Sequence, residues 1–180
     1  MACCYYAAQP VFALELNGIA PANRCTDVYG KTKSLGEIRA PGCLTLRCSI
    51  IGPDPVGKSG LWEWFKGQPE GKTLAGYTHH LWNGATTLQL AELCRRIITA
   101  DRFQTICNEA PIHHFCPNLP VSKYELLQLF RSALQKNVSI TPVGEALVPV
   151  RRILATRYQS IKELFGTGCS MEQAVNDLVT

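Results

Sequence analysis

The chain has 180 residues, of which 46% are hydrophobic and 18% charged, and its formal net charge is +4. This composition is typical of a globular domain and excludes an intrinsically disordered chain, and no apolar run approaches the length of a membrane-spanning helix. The basic residues are scattered, which argues against a nucleic-acid-binding protein. The nine cysteines include no CxxC pair, and no secretory signal begins the sequence, so we predict a reduced, cytoplasmic protein.

The first half of the sequence predicts alternating strands and helices. A short strand is predicted at residues 11–16, and helical spacing extends from residue 28 to about residue 39. CLTLRCSII (43–51) predicts one buried parallel strand, and LWEWFKGQ (61–68) predicts a short helix. GKTLAGY and THHLWNGA are expected to be loops, and the helix of TTLQLAELCRRIITA is expected to have Thr86 or Thr87 as its N-cap.

The second half continues the alternation. PIHHFCPN (111–118) predicts a strand that enters a turn, and VSKYELLQLFRSALQKN (121–137) predicts a helix with a Ser122–Glu125 capping box and an end at Asn137. VSITPV predicts another strand, and two helices follow, the second capped by Ser170 with Gln173 in the box position. The order of elements indicates an α/β architecture with a largely parallel sheet.

Tyr29 and Lys33 lie four residues apart on the first predicted helix, so their side chains share one helix face. A tyrosine phenol has a pKa of about 10, and a nearby lysine ammonium lowers this pKa by favouring the phenolate. Such a tyrosine can donate a proton to a carbonyl that is reduced by hydride, or accept one from an alcohol. On spacing alone, a chance pair on an ordinary helix is the alternative.

The stretch DVYGKTKSLGE (27–37) resembles the active-site helix of the extended short-chain dehydrogenase/reductases, in the form carried by the dTDP-4-dehydrorhamnose reductase-like sugar-nucleotide enzymes. Further blocks follow in the family's order. LTLRCSIIGP resembles its next strand and loop, GLWEWFKGQ its LLEWF segment, and GYTHHLWNGATTLQLAELC its HxWNGxTTLQLA block. HHFCPNLPVSKYELLQLF is similar to its SKYELL region, and VRRILATRY to its late Asp-Arg-Ser-Leu element.

The resemblance implies an α/β fold, namely the C-terminal part of a Rossmann-like parallel sheet with a small substrate-binding subdomain. It implies an NAD- or NADP-dependent reductase, epimerase or dehydratase of a nucleotide-linked deoxysugar. The implied catalytic residues are Tyr29 and Lys33, and the implied cofactor-binding residues are Lys33 and Ser49. The implied substrate-binding residues are Trp62, His80, Trp82, Asn83 and Arg152.

The sequence also departs from the family. It contains no G-x-x-G-x-x-G turn, it has no serine or threonine before Thr26, and Arg151 stands where the family has aspartate. We therefore interpret residues 1–26 as an atypical leader and residues 27–180 as the catalytic-helix and substrate-binding part, without a dinucleotide-binding half. The alternative is a non-catalytic sugar-nucleotide-binding or interaction module. A separately encoded dinucleotide-binding half or a second copy of the chain would then be its partner.

Two further assignments have structural alternatives. His79, His80, His113 and His114 have no established metal-ligand spacing, so no metal site is predicted. Trp62 and Trp64 could stack on a sugar or base, or pack in the core. The segment of His80, Trp82 and Asn83 could contact the sugar or form a packed loop.

Overall fold

The computed structural model describes Val28, Thr32 and residues 35–144, 150–156 and 158–179, with the side chain of Arg151 left out. The predicted strand at residues 11–16 and the predicted leader, residues 1–26, lie outside the described residues. Within the described ranges, no helix has both the length and the apolar character needed to cross a membrane.

Short strands and helices alternate along the described chain. The strands are β1 (Thr45–Arg47), β2 (Ile50–Ile51), β3 (Thr73–Tyr77), β4 (His80–Trp82), β5 (Ala85–Thr86), β6 (Ile112–His114), β7 (Val121–Ser122), β8 (Ser139–Val143) and β9 (Val150–Arg152). The helices are α1 (Gly60–Lys66), α2 (Thr87–Thr99), α3 (Phe103–Glu109), α4 (Lys123–Ala133), α5 (Gln159–Phe165) and α6 (Met171–Asn176).

Most strand pairs are parallel, as the alternation of elements predicted. β1 pairs with β6, β2 with β5, β3 with β8 and β4 with β9, all in parallel, whereas β4 and β7 are antiparallel. The prediction of one strand over residues 43–51 is wrong, because β1 and β2 pair with different partners on either side of Cys48 and Ser49. The predicted loop THHLWNGA is also wrong, since it contains β4 and begins β5.

The buried side chains form two clusters that define two regions. The β1/β6 region comprises β1, β6, α2, α3 and α5. Its core includes Leu46, Cys48, Leu93, Ile97, Ile106, Phe115 and Ile161. The β3/β8 region comprises α1, β3, α4, β8 and α6. Its core includes Trp62, Phe65, Leu74, Leu127, Phe130, Ile140 and Val175.

Both long helices begin with a capping box, which the sequence predicted for Ser122 and Glu125, whereas for the other helix it predicted only Thr86 or Thr87 as the N-cap. In α2, the Thr86 hydroxyl accepts a hydrogen bond from the Gln89 backbone N–H, and the Gln89 side chain accepts one from the Thr86 N–H. Ser122 and Glu125 form the same reciprocal pair at α4. However, α4 ends at Ala133 and not at Asn137, and Gln135 has a left-handed backbone with a φ of 49°.

Candidate functional site

The predicted catalytic residues Tyr29 and Lys33 lie outside the described residues. The described positions around them, Val28, Thr32 and Leu35, have helical backbone, as predicted, but residues 36–39 are not helical, so the predicted end near residue 39 is wrong. The chemistry assigned to the tyrosine and the lysine therefore stays a prediction.

A buried ion pair fastens the segment after this helix to β1. Glu37 accepts two hydrogen bonds from the guanidinium of Arg47, with distances of 2.6 Å from Nε and 2.7 Å from Nη2. The two side chains are only 4% and 2% exposed, so the pair is shielded from water.

Arg47 also contacts His114, whose Nε2 lies 3.4 Å from Nη1 of Arg47. Because a guanidinium can only donate hydrogen bonds, Nε2 of His114 is the acceptor in this contact. The proton of this imidazole then lies on Nδ1, which donates to the Ala155 carbonyl at 3.0 Å.

The structure brings two of the predicted site residues into direct contact. Nε1 of Trp82 donates a 2.7 Å hydrogen bond to the Ser49 hydroxyl, and Trp82 and Ser49 are each 8% exposed. The hydroxyl of Ser49, predicted to bind the cofactor, thus orients the indole of Trp82, predicted to bind the substrate. The described residues do not by themselves form a dinucleotide site, since Lys33 lies outside them and Ser49 is buried against Trp82.

Gly84 allows this contact to form. A Cβ atom at Gly84 would clash with the Ser49 carbonyl oxygen and with the Trp82 ring. The Ser49 carbonyl oxygen also accepts a 2.8 Å hydrogen bond from the backbone N–H of Ala85. The glycine of the WNG block is therefore needed for close packing between the chain after β1 and the chain after β4.

Asn83 fastens the chain that follows β9. Its side-chain amide donates to the Leu154 carbonyl at 2.9 Å and accepts from the Leu154 N–H at 2.8 Å. These two bonds continue the parallel pairing in which Trp82 lies opposite Arg152. Asn83 is 5% exposed, so its observed contacts position the strand that carries Arg152.

The two tryptophans of α1 have different environments. Trp62 is 2% exposed and makes an edge-to-face contact with Phe130 at 4.9 Å between ring centroids. It presents no ring face on which a sugar could stack in this conformation. Trp64 is 43% exposed and is the tryptophan of this pair that a ligand can reach.

His80 and Arg152 lie near one another on neighbouring strands. His80 is half-buried and stacks on Tyr77 with 4.8 Å between ring centroids and 26° between ring planes. Burial lowers the pKa of His80, and the positive charges of His79, Lys123 and Arg152 lower it further. Arg152, at the end of β9, is exposed.

Sequence reasoning overlooked Tyr77 and Lys123, which lie close to His80. The strand β3 ends at Tyr77, and its side chains alternate between exposed and buried positions. A search of the sequence for two-residue periodicity could have found this strand. Lys123 directly follows the predicted N-cap Ser122. No sequence signal indicated that Tyr77 would stack on His80 and contact Lys123, because the three residues lie on separate segments.

Among the described residues, no group of three or more His, Cys, Asp or Glu side chains could hold a metal ion. Nε2 of His113 lies 3.0 Å from the carbonyl oxygen of Ile106 and 2.9 Å from that of Ala110. One of the two adjacent histidines of β6 thus contacts α3, and the other, His114, contacts Arg47.

A cavity of about 290 Å³ lies at the amino ends of β1 and β6. None of the predicted site residues lines it. Arg39, Cys43 and Cys107 are among its lining residues. Burial raises the pKa of the Cys107 thiol, and Cys43 raises it further. Because the thiolate is the reactive form, Cys107 is expected to be a weak nucleophile.

Solved structures with this fold include three dTDP-4-dehydrorhamnose reductases. The structure from Clostridium acetobutylicum ATCC 824 has a TM-score of 0.58 and 13% identity, and the match covers 84% of this chain and 54% of that one. The structure from Bacillus anthracis str. Ames, in complex with NADP, has a TM-score of 0.57, 12% identity, and coverage of 83% and 52%. That from Yersinia enterocolitica has a TM-score of 0.51, 15% identity, and coverage of 76% and 48%.

At these identities the likeness establishes the fold, and the expected Rossmann-like α/β architecture is confirmed. The chain spans about half the length of the solved structures it matches. No family model and no curated protein matches the sequence.

Proposed function

We propose that residues 27–180 supply the catalytic helix and the sugar-nucleotide-binding part of an NAD(P)-dependent reductase of a nucleotide-linked deoxysugar. The observation that carries this proposal is the meeting of predicted site residues at the carboxyl ends of β4 and β9. Trp82 lies opposite Arg152 in the strand register, contacts Ser49, and precedes Asn83, which holds Leu154. Ligands of open α/β sheets bind outside the carboxyl ends of the strands, which supports a substrate site here.

In the proposed reaction a ketone of the sugar becomes an alcohol, and a nicotinamide cofactor supplies the hydride. Tyr29 donates the proton that the carbonyl oxygen requires. Lys33, four residues along the same helix, lowers the pKa of Tyr29 and hydrogen-bonds the cofactor ribose. The same groups could serve an epimerase or a dehydratase, since both also begin by moving hydride and proton at a sugar carbon.

The substrate side of the proposal rests on charge and shape. A guanidinium can pair with two phosphate oxygens at once, and Arg152 is exposed at the end of β9. The Ser49 hydroxyl orients the Trp82 indole through a hydrogen bond. We expect the sugar to lie near Trp82 and the diphosphate near Arg152.

The proposal is tested with dTDP-4-dehydrorhamnose and NADPH. Isothermal titration calorimetry of the purified chain with each ligand measures binding, and the loss of NADPH absorbance measures turnover. Tyr29→Phe is the control variant, and it is expected to retain sugar-nucleotide binding while turnover falls at least about 100-fold, the scale of general acid catalysis.

The outcomes separate the two functions considered. Turnover by the chain, abolished in Tyr29→Phe, supports the reductase. Sugar-nucleotide binding without NADPH binding or turnover supports instead the non-catalytic module, whose partner would carry the dinucleotide half. If the chain does not bind the sugar nucleotide at all, both are wrong.

A further inference from the structure

Lys123, the first residue of α4, places its ammonium group between two aromatic rings from other elements. Nζ is 5.6 Å from the ring centroid of Trp64 on α1 and 5.3 Å from that of Tyr77 at the end of β3. Both distances fall within the range of about 6 Å in which an aromatic face attracts a cation. Because the rings come from different elements, tertiary packing fixes the ammonium at this point.

Tyr77 connects this ammonium to two histidines. Its ring stacks on His80, as described above, and its centroid is 5.7 Å from that of His79 at an angle of 80°. The rings of His79 and His80 are themselves 4.3 Å apart, edge to face. The cluster therefore consists of flat aromatic surfaces around groups that are cationic or can become so.

The Lys123 ammonium lies close to the positive charge of Arg152. Burial lowers the pKa of Lys123, and the charge of Arg152 lowers it further. Arg152 also acts on His80 in the same direction. Among the ion pairs of the described residues, none involves Lys123. A bound anion would relieve this mutual repulsion, since it would interact favourably with each of these groups.

An exposed aromatic ring lies directly beside the ammonium. Trp64 is 43% exposed, and the contact with Lys123 occupies only part of its surface. The nearby Trp62, in contrast, is buried in the core of the β3/β8 region. Exposed indole rings provide stacking surfaces for nucleobases, which contribute binding energy without requiring a particular base.

We propose that Lys123 binds a phosphate group of a nucleoside diphosphate whose base stacks on Trp64. This inference rests on the proposed function and identifies which residues recognise the nucleotide part of the substrate. The Tyr77 ring also contacts the ammonium, and Arg152 on β9 adds positive charge nearby. An ammonium beside an exposed indole fits a ligand with both a phosphate and a planar base, and it fits an uncharged sugar poorly.

The experiment measures binding of dTDP to the full chain by isothermal titration calorimetry at low and high salt. Lys123→Gln is expected to weaken binding about 10- to 100-fold and to reduce its salt dependence, because a charge-assisted hydrogen bond is lost. Trp64→Leu is expected to weaken binding about tenfold while the salt dependence is unchanged, because base stacking carries no net charge. Lys123→Arg retains the charge and is expected to retain most of the affinity.

The control variant is Lys72→Gln, which removes an exposed lysine at the opposite end of β3 whose Nζ donates to Gln68 at 2.8 Å. It is expected to bind dTDP as the wild type does. The inference is wrong if Lys123→Gln, with an unchanged circular dichroism spectrum, binds dTDP as tightly as Lys72→Gln. In that case binding of dTDP-4-dehydrorhamnose by the wild type would leave the proposed function intact. If the wild type binds neither ligand, the inference and the proposed function are both wrong.

Discussion

The β1/β6 region and the β3/β8 region use polar groups in opposite ways. The β1/β6 region contains a buried ion pair, in which Arg47 is 2% exposed and pairs with Glu37, and both His113 and His114 are buried. In the β3/β8 region the core consists of aromatic and aliphatic side chains, and its basic groups lie at the rim. The buried Arg47 is already occupied by its partner Glu37, whereas the half-buried Lys123 beside the exposed Trp64 is available to a ligand.

The difference indicates how the two regions share the proposed function. Under the proposed function, the β1/β6 region would support the catalytic helix, because Glu37 and Arg47 hold the segment that follows it. The β3/β8 region would then recognise the nucleotide. Trp82 belongs to the aromatic core and bonds to Ser49 next to β1, and it therefore joins the two regions.

The largest effect is expected from Arg47→Met in the β1/β6 region. This substitution leaves the Glu37 carboxylate buried without its bidentate partner, and we expect it to lower the free energy of unfolding by about 3–5 kcal/mol. Phe130→Ala, its counterpart in the β3/β8 region, removes a fully buried ring and is expected to cost about 3–5 kcal/mol through a cavity. Urea denaturation followed by circular dichroism measures both.

Glu92→Gln is the control for this comparison, because its pairs with Arg95 and Arg96 are exposed and such pairs contribute little. If Arg47→Met is no less stable than Glu92→Gln, the buried charges of the β1/β6 region do not stabilise it. If Arg47→Met and Phe130→Ala shift separate unfolding transitions, the two regions unfold independently.

An intermediate effect is expected from Asn83→Ala, which tests how the strand of Arg152 is held. The substitution removes both hydrogen bonds to Leu154, and we expect a loss of about 1–3 kcal/mol since buried backbone groups lose their partners. The specific readout is the Leu154 amide proton, whose hydrogen exchange should become faster. Asn83→Asp retains an acceptor for this N–H and should protect it better than alanine does. Unchanged exchange in Asn83→Ala would contradict this role.

The smallest effect is a dependence of stability on pH in the β1/β6 region. Burial raises the pKa of Glu109, but hydrogen bonds from Ser160 and from the Gln159 N–H outweigh it, so the folded-state pKa lies below the ordinary value of 4.5. Its contribution is therefore fully present above pH 4.5 and is lost as the pH falls through the lowered pKa.

Thermal unfolding of the wild type and of Glu109→Gln as a function of pH measures this contribution. The variant should be less stable at neutral pH, and the difference should shrink in acid. A difference that is constant across this pH range would show that the carboxylate charge is not the cause.

Local sequence signals predicted where a helix begins when its N-cap is formed by neighbouring residues of the same segment. Ser122 with Glu125 predicts the start of α4 and a threonine N-cap at position 86 or 87 predicts that of α2, because a cap uses only residues within one turn. The end of α4 was placed too late, because the chain turns at Gln135 to bring β8 against β3. The sequence blocks likewise indicated the α/β class and most of the residues around Trp82.

Only the tertiary structure decided which of those residues can meet a ligand. Trp62 and Trp64 are two positions apart with the same chemistry, and the packing of α1 against Phe130 buries one ring and exposes the other. Asn83 was assigned to the substrate, but its partner Leu154 is 71 residues away along the chain. Lys123 and Tyr77 carried no recognised motif, since a cation held between rings from separate elements exists only after those elements pack together.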